Sequence, residues 1–197
     1  MLIFDETITG FRLAFGGAQE YYGVTPDMVT LGKIVVGGFP LAAFGGKKEI
    51  MEMVAPLGKV YQAGTFSGNP ISVVAGLTAL QTIQKKGVSF YNELESKRKM
   101  VCGAVQDFTE ELGYHIRVNG VASMFQLFFT ENEVTDYKSA KKADNARFMV
   151  YHRKLLENGV FVPPSQFETC FISTEHSKED LEMTVDAIEA SLKYALM

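Results

Sequence analysis

An acidic residue and a basic residue, Asp5 and Lys33, each come at the end of a short apolar segment. Residues 2–4 are apolar throughout, as in a strand of a parallel sheet, and residues 28–31 predict a second strand. Ligands in open α/β sheets bind at the carboxyl ends of the strands, so we expect both side chains at one sheet edge. Each residue alone also fits an ordinary role, Asp5 as a strand-end cap and Lys33 as a turn lysine that reaches solvent.

Together, an acid and a lysine at one sheet edge are the side chains that pyridoxal-phosphate chemistry requires. The lysine amine bonds covalently to the cofactor, and the acid pairs with the protonated pyridine nitrogen and keeps the ring an electron sink. Around Lys33 the sequence is apolar or glycine, and desolvation there would favour the neutral, nucleophilic amine. Gly37 and Gly38 would let the backbone pass close to a flat ring.

The elements that would position this pair are short strands and helices in alternation. A strand is predicted within residues 40–46 and a helix within 47–55. Asn69 and Pro70 are typical of the first positions of a helix, which would run to Gly87. That helix is apolar on nearly all sides, so we expect it to be buried.

Beyond residue 88 the pattern changes to longer amphipathic helices and a few strands. We expect helices at about 90–112 and 140–157, strands near 115–119 and 123–129, and two short strands within 160–173. Ser177 and Asp180 form a capping-box pattern at the start of the last helix. The sequence therefore predicts an α/β protein with a mixed or parallel sheet and a small α+β carboxyl-terminal domain. The predicted divisions are residues 1–88, a connecting helix over 89–112, and residues 113–197.

Composition excludes several classes of protein. The 197 residues carry 19 basic and 23 acidic side chains, a net charge of −4, which does not favour a nucleic-acid partner. No apolar stretch is as long as a membrane span, and the first residues do not resemble a secretory signal. Cys102 and Cys170 lie far apart and form no metal-ligand cluster, so we expect a reducing, cytoplasmic location and no metal.

Four segments carry a resemblance to a known family. They are LIFDETITGFR, TPDMVTLGKIVVGGFPLAAFGG, YQAGTFSGNP and VFVPPSQFET, at residues 2–12, 25–46, 61–70 and 160–169. In this order they resemble the glutamate-1-semialdehyde 2,1-aminomutases, within the class III aminotransferases of fold type I. The resemblance covers essentially the whole chain and corresponds to the carboxyl-terminal half of the family's protein.

The resemblance implies a role for each matching residue. Asp5 would pair with the pyridine nitrogen, and Lys33 would be the Schiff-base lysine and the proton shuttle. Thr65 would hydrogen-bond the cofactor phosphate of the partner subunit in a homodimer, and Glu168 would face the substrate at the mouth of the site. Thr7 stands where the family usually has an aliphatic residue packed on the cofactor ring.

The same resemblance places the family's glycine-rich phosphate loop in a part of the protein that would precede Asp5. We therefore expect a truncated chain that lacks most of the phosphate-binding backbone. Three alternatives stay open: an aminomutase that makes 5-aminolevulinate for porphyrin biosynthesis, another class III aminotransferase that acts on ω-amino substrates, and a non-catalytic dimerising fragment. Glu168 favours the first of these.

Overall fold

The computed structural model describes residues 1–196, and these residues form two compact units, residues 1–91 and residues 92–196. The boundary between the units follows Tyr91 and falls within the helix Val88–Glu111. The division into residues 1–88, 89–112 and 113–197 stays a prediction. Within residues 1–196, no helix combines the length and the apolar character needed to span a membrane.

The first unit is built around a three-stranded sheet. Its elements are β1 (Ile3–Glu6), α1 (Gly17–Tyr22), β2 (Met28–Leu31), a 3-10 turn (Lys33–Val36), β3 (Ala43–Gly46), α2 (Lys48–Met51) and α3 (Pro70–Lys86). β1 pairs in parallel with β2, with Asp5 opposite Thr30, and β2 pairs antiparallel with β3. The parallel pair gives β1 and β2 a common carboxyl edge, as the sequence predicts.

The second unit has an antiparallel sheet and the main hydrophobic core. α4 (Val88–Glu111) leads into β4 (Arg117–Val121), β5 (Met124–Phe128), α5 (Tyr137–Ala140), α6 (Asn145–Glu157), β6 (Cys170–Phe171) and α7 (Lys178–Ala195). All five residues of β5 are buried, and the sheet order is β4-β5-β6. Helices α6 and α7 pack together and contribute fully buried side chains to the core, among them Phe148, Leu155, Ile188 and Leu192.

The predicted helix starts are confirmed. The Asn69 side chain accepts hydrogen bonds from the amides of Ile71 and Ser72, and Pro70 is the first residue of α3. Ser177 and Asp180 form a reciprocal capping box at the start of α7. In both places a polar side chain satisfies amides that the first turn of a helix leaves without partners.

Burial was wrongly predicted for two elements of the first unit. Ile3 in β1 is 54% exposed, so this strand is not buried on both faces. Most of the apolar side chains of α3 are also exposed, including Ile71, Val74 and Leu77 at 65%, 62% and 54%. An apolar sequence indicates that an element would gain stability from burial, but it does not specify what the element packs against.

Two predictions for the second unit were also wrong. The expected helix over 140–157 is interrupted, because the Asp144 carboxylate accepts hydrogen bonds from the amides of Ala146 and Arg147 and starts α6 at Asn145. Only one of the two strands expected within 160–173 forms, and it is β6. Residues 160–169 form bends and turns, and Pro163 and Pro164 in this segment have no amide hydrogen for a strand ladder.

Candidate active site

The carboxyl edge of the first sheet brings Asp5 and Lys33 near each other. Asp5 lies one residue before the end of β1, and Lys33 follows the end of β2 after a single glycine. The positive charge of Lys33 contributes to the electrostatic environment of the Asp5 carboxylate, as the smallest of several effects that lower its pKa. The structure therefore has the acid and the lysine at one sheet edge.

Three hydrogen bonds hold one oxygen of the Asp5 carboxylate. Oδ1 accepts from the Thr7 hydroxyl at 2.6 Å, the Thr7 amide at 3.0 Å and the Thr30 hydroxyl at 3.1 Å. The Thr7 hydroxyl is the main cause that lowers the pKa of Asp5 below its ordinary value. Within residues 1–196, Oδ2 accepts no hydrogen bond, and the side chain is exposed. This oxygen can accept a hydrogen bond from a proton donor of a ligand.

Lys33 begins the 3-10 turn with an unusual backbone conformation. Its φ is +49°, in the left-handed region that residues other than glycine seldom adopt. Such a conformation costs about 1–2 kcal/mol and is found preferentially at functional sites. The apolar sequence around Lys33 predicts that its amine is desolvated. In the structure the side chain is exposed instead. The turn presents the amine to solvent at the sheet edge.

Of the two glycines after Lys33, Gly37 packs the turn against α3. Gly37 has a φ of +58°, and a Cβ there would lie 2.7 Å from the carbonyl oxygen of Ala75 in α3. The close approach that Gly37 allows is therefore to a helix, whereas the sequence suggests a flat ring. Gly38 has a φ of +89°, and no atom lies within 4 Å of the Cβ position. α3 thus fixes the end of the turn that starts at Lys33.

Thr7 and Thr65 line one groove of about 580 Å³ in the first unit. Thr30 and Leu31 of β2 and residues 40–44 also line it, together with residues of the loop that precedes α3. This groove lies against the strand ends that carry the acid and the lysine. Thr7 and Thr65 therefore line the same groove, whereas Asp5 and Lys33 are not among its lining residues.

Glu168 lies in the second unit. Its amide donates to the carbonyl oxygen of Ser165, and its own carbonyl oxygen accepts from the Gln126 side chain. These backbone contacts fix the turn, and the carboxylate is exposed. Glu168 lines a cavity of about 320 Å³ that Gln166, Phe167 and Tyr137 also line.

Glu6 is an important residue that the sequence reasoning missed. Its side chain is 1% exposed and accepts hydrogen bonds from the amides of Ala18 and Gln19, the Gln19 side chain and the Thr9 hydroxyl. Gly17, with a φ of +70°, leaves the space that this carboxylate occupies. Strand alternation was the available signal, because consecutive residues point to opposite faces and Glu6 must face away from Asp5.

Comparison with known proteins agrees with this geometry. The family model for class III aminotransferases matches residues 1–192. A glutamate-1-semialdehyde 2,1-aminomutase of Methanobrevibacter smithii is 56% identical over 195 residues, which is 99% of this chain and 45% of the relative. The enzyme of the same name from Methanocaldococcus jannaschii is 50% identical over 189 residues and is covered to 44%. The chain thus spans less than half the length of the curated relatives it matches.

Solved structures show the same architecture. An omega-transaminase from Sphaerobacter thermophilus superposes with a TM-score of 0.85 at 31% identity, over 99% of this chain and 44% of that one. A glutamate-1-semialdehyde aminomutase from Pseudomonas aeruginosa superposes with a TM-score of 0.82 at 22% identity, over 98% of this chain and 44% of that one, and it supports the fold alone. The predicted fold class, a partial fold type I transferase, is confirmed, and the chain belongs to the class III aminotransferase family.

Proposed function

We propose that this chain provides the lysine-bearing part of a pyridoxal-phosphate enzyme that isomerises glutamate-1-semialdehyde to 5-aminolevulinate, a step of porphyrin biosynthesis. The observation that carries the proposal is the common carboxyl edge of β1 and β2, with Asp5 before its end and Lys33 just beyond it. That edge combines a carboxylate with a free oxygen and an exposed amine on a strained turn. The carboxylate is suited to pair with the pyridine nitrogen of pyridoxal phosphate, and the amine is suited to bond with its aldehyde carbon.

The donor set of the first unit fits pyridoxal phosphate. A carboxylate whose pKa is lowered stays ionised at neutral pH, which is the state that pairs with a protonated pyridine nitrogen. The exposed amine of Lys33 can reach an aldehyde, and the Thr65 hydroxyl can donate to a phosphate oxygen of the cofactor in the partner subunit. When bound, the cofactor supplies the electron sink that stabilises a carbanion beside the substrate nitrogen.

Each predicted site residue then has one task. Asp5 would hold the pyridine nitrogen protonated, and Lys33 would hold the cofactor and serve as the proton shuttle. Thr65 would bind the phosphate of the cofactor in the partner subunit, and Glu168 would contact the substrate. Thr7, which lines the groove next to Asp5, would lie against the cofactor ring.

The choice of substrate rests on the relatives. The relatives from Methanobrevibacter smithii and Methanocaldococcus jannaschii, 56% and 50% identical, carry the name glutamate-1-semialdehyde 2,1-aminomutase, and they match nearly all of this chain. The omega-transaminase is a structural neighbour at 31% identity, so transfer of an ω-amino group to a separate acceptor is the alternative reaction. An isomerase needs no second amino acceptor, and this difference separates the two reactions.

We also propose that the protein is a cytoplasmic homodimer. The exposed apolar face of α3, with Val74 and Leu77, is a surface of the kind that another protein chain covers. Two reduced cysteines agree with a reducing compartment. A second copy of the chain is the partner that the family resemblance implies.

The test of the proposed reaction is release of 5-aminolevulinate from glutamate-1-semialdehyde. The chain is assayed with pyridoxal phosphate, alone and together with the part of the Methanobrevibacter smithii protein that it does not match. We expect product in at least one of these mixtures without any added amino acceptor, and loss of product by about 1,000-fold or more in Lys33→Ala, because the nucleophile is gone. Lys59→Ala, which removes an exposed lysine of the same unit, should leave the rate unchanged.

Two results contradict the proposal. Consumption of glutamate-1-semialdehyde only when an amino acceptor is added, with the amine recovered on that acceptor and no 5-aminolevulinate formed, would assign the chain to the ω-amino aminotransferases. No turnover of either substrate type in any mixture would leave a non-catalytic, dimerising role as the better description.

A further inference from the structure

Thr7 makes two hydrogen bonds to Asp5 and also contacts Gly32, the residue before Lys33. Its hydroxyl and its amide both donate to Oδ1 of Asp5, at 2.6 Å and 3.0 Å. Its methyl group lies against Gly32, where a Cβ would be 3.1 Å from Thr7 Cγ2. Gly32 immediately precedes Lys33 and has an extended backbone, with φ and ψ of −156° and −161°. One half-buried side chain thus joins the end of β1 to the turn that presents the amine.

The hydrogen bonds of Thr7 make the two carboxylate oxygens of Asp5 unequal. Oδ1 is fully engaged by Thr7 and by the Thr30 hydroxyl, and three donors on one oxygen restrict rotation of the carboxylate. Oδ2 accepts no hydrogen bond from residues 1–196. The oxygen that remains for a ligand is therefore chosen by the contacts of Thr7 and Thr30.

A hydroxyl at this position differs in function from an aliphatic side chain of the same shape. Valine would keep both branches at Cβ and could pack on a ring, but it could not donate to Asp5. Donation to a carboxylate also favours the ionised form, which agrees with the lowered pKa of Asp5. Lys33 adds its charge to this effect, and it is the only charged group that contributes to the pKa of Asp5 among the described residues.

We propose that Thr7 is a positioning residue, whose hydroxyl fixes the Asp5 carboxylate so that Oδ2 is the oxygen available to the pyridine nitrogen. This inference rests on the proposed cofactor chemistry and deepens it. Thr7 acts through Asp5 and need not touch the reacting atoms. Thr30 supports the same carboxylate from the neighbouring strand.

The test measures the Asp5 carboxyl directly in the chain without cofactor. Carbon-detected NMR of aspartate labelled at the side-chain carboxyl gives the pKa of Asp5 in the unmodified chain and in Thr7→Val, Thr7→Ser and Thr25→Val. We expect the pKa to rise toward the ordinary aspartate value in Thr7→Val, and to stay lowered in Thr7→Ser, which keeps the donor. Thr25 is exposed in the same unit, so Thr25→Val should change nothing.

A second readout is the dissociation constant of pyridoxal phosphate for the same proteins. Loss of one hydrogen bond to a charged group predicts binding weaker by about tenfold in Thr7→Val, with recovery in Thr7→Ser. If Thr7→Val does not fold, Thr30→Val removes a different donor from the same oxygen and should also raise the pKa of Asp5.

The two proposals fail separately. An unchanged Asp5 pKa in both Thr7→Val and Thr30→Val, measured without cofactor, overturns the positioning role. Absence of pyridoxal-phosphate binding in the unmodified chain, both alone and together with the unmatched part of the Methanobrevibacter smithii protein, overturns the proposed function, and the NMR result for Thr7 is unaffected. Weaker cofactor binding in Thr7→Val with an unchanged Asp5 pKa would assign Thr7 to ring packing and also overturn the positioning role.

Discussion

Within β1, the neighbouring carboxylates Asp5 and Glu6 have opposite environments. Asp5 is exposed and keeps one oxygen free, whereas Glu6 is buried and accepts four hydrogen bonds. The pleat of the strand produces this difference, because consecutive side chains leave opposite faces. We infer that Glu6 anchors the strand to α1 from one face, and that this leaves Asp5 exposed on the other face.

Removing the buried carboxylate should destabilise the first unit. In Glu6→Ala the amides of Ala18 and Gln19 lose their acceptor, and we expect the free energy of unfolding to fall by about 3 kcal/mol. Urea denaturation followed by circular dichroism measures the change. Glu49→Ala is the control, because Glu49 is exposed and accepts no hydrogen bond from the described residues. A loss in Glu6→Ala no larger than that in Glu49→Ala would refute the anchoring role.

At the scale of single residues, the sequence predicted the acid and the lysine at one sheet edge, but it did not predict the side chains that hold this edge in place. A strand end followed by a polar side chain is a local pattern, and both Asp5 and Lys33 show it. The contact of Thr7 with Asp5, and that of Glu6 with α1, depend on how the chain turns after β1. No periodicity in the sequence specifies that turn.

Among the elements, α3 combines a correctly predicted start with an incorrectly predicted environment. The Asn69 cap and Pro70 are local signals, and they determine where the helix begins. On its inner side, Gly76 approaches the 3-10 turn so closely that a Cβ would overlap the carbonyl oxygen of Val35. Its outer side exposes apolar side chains, among them Val74 and Leu77.

Charges on the outer face of α3 should disrupt self-association. In the double variant Val74→Lys, Leu77→Lys, two exposed apolar side chains become cationic, and we expect the dimer dissociation constant to increase by about tenfold or more. Sedimentation velocity over a range of concentrations measures it. Met149→Lys with Met183→Lys is the control, since those residues are exposed on α6 and α7. Equal effects of the two pairs would argue against α3 as the interface.

At the scale of the whole molecule, the predicted site residues are divided between the two units. Asp5, Thr7, Lys33 and Thr65 belong to the first unit, and Glu168 belongs to the second. Alternating strands and helices, with caps at fixed places, were sufficient to predict an α/β protein, and the family resemblance implied the partial fold type I transferase. The interruption at Asp144 and the lost strand within 160–169 were not predicted, because a single cap and two prolines outweigh a periodic pattern.

The proposed function depends most directly on Lys33 as the residue that would hold the cofactor. The direct measurement is to mix the chain with pyridoxal phosphate, reduce the covalent linkage with borohydride, and locate the pyridoxyl group by peptide mass spectrometry. We expect the modification to be concentrated on Lys33, to be absent from that position in Lys33→Arg, and to persist on Lys33 in Lys59→Arg. Modification spread over the exposed lysines, or equal total modification in Lys33→Arg, would contradict it.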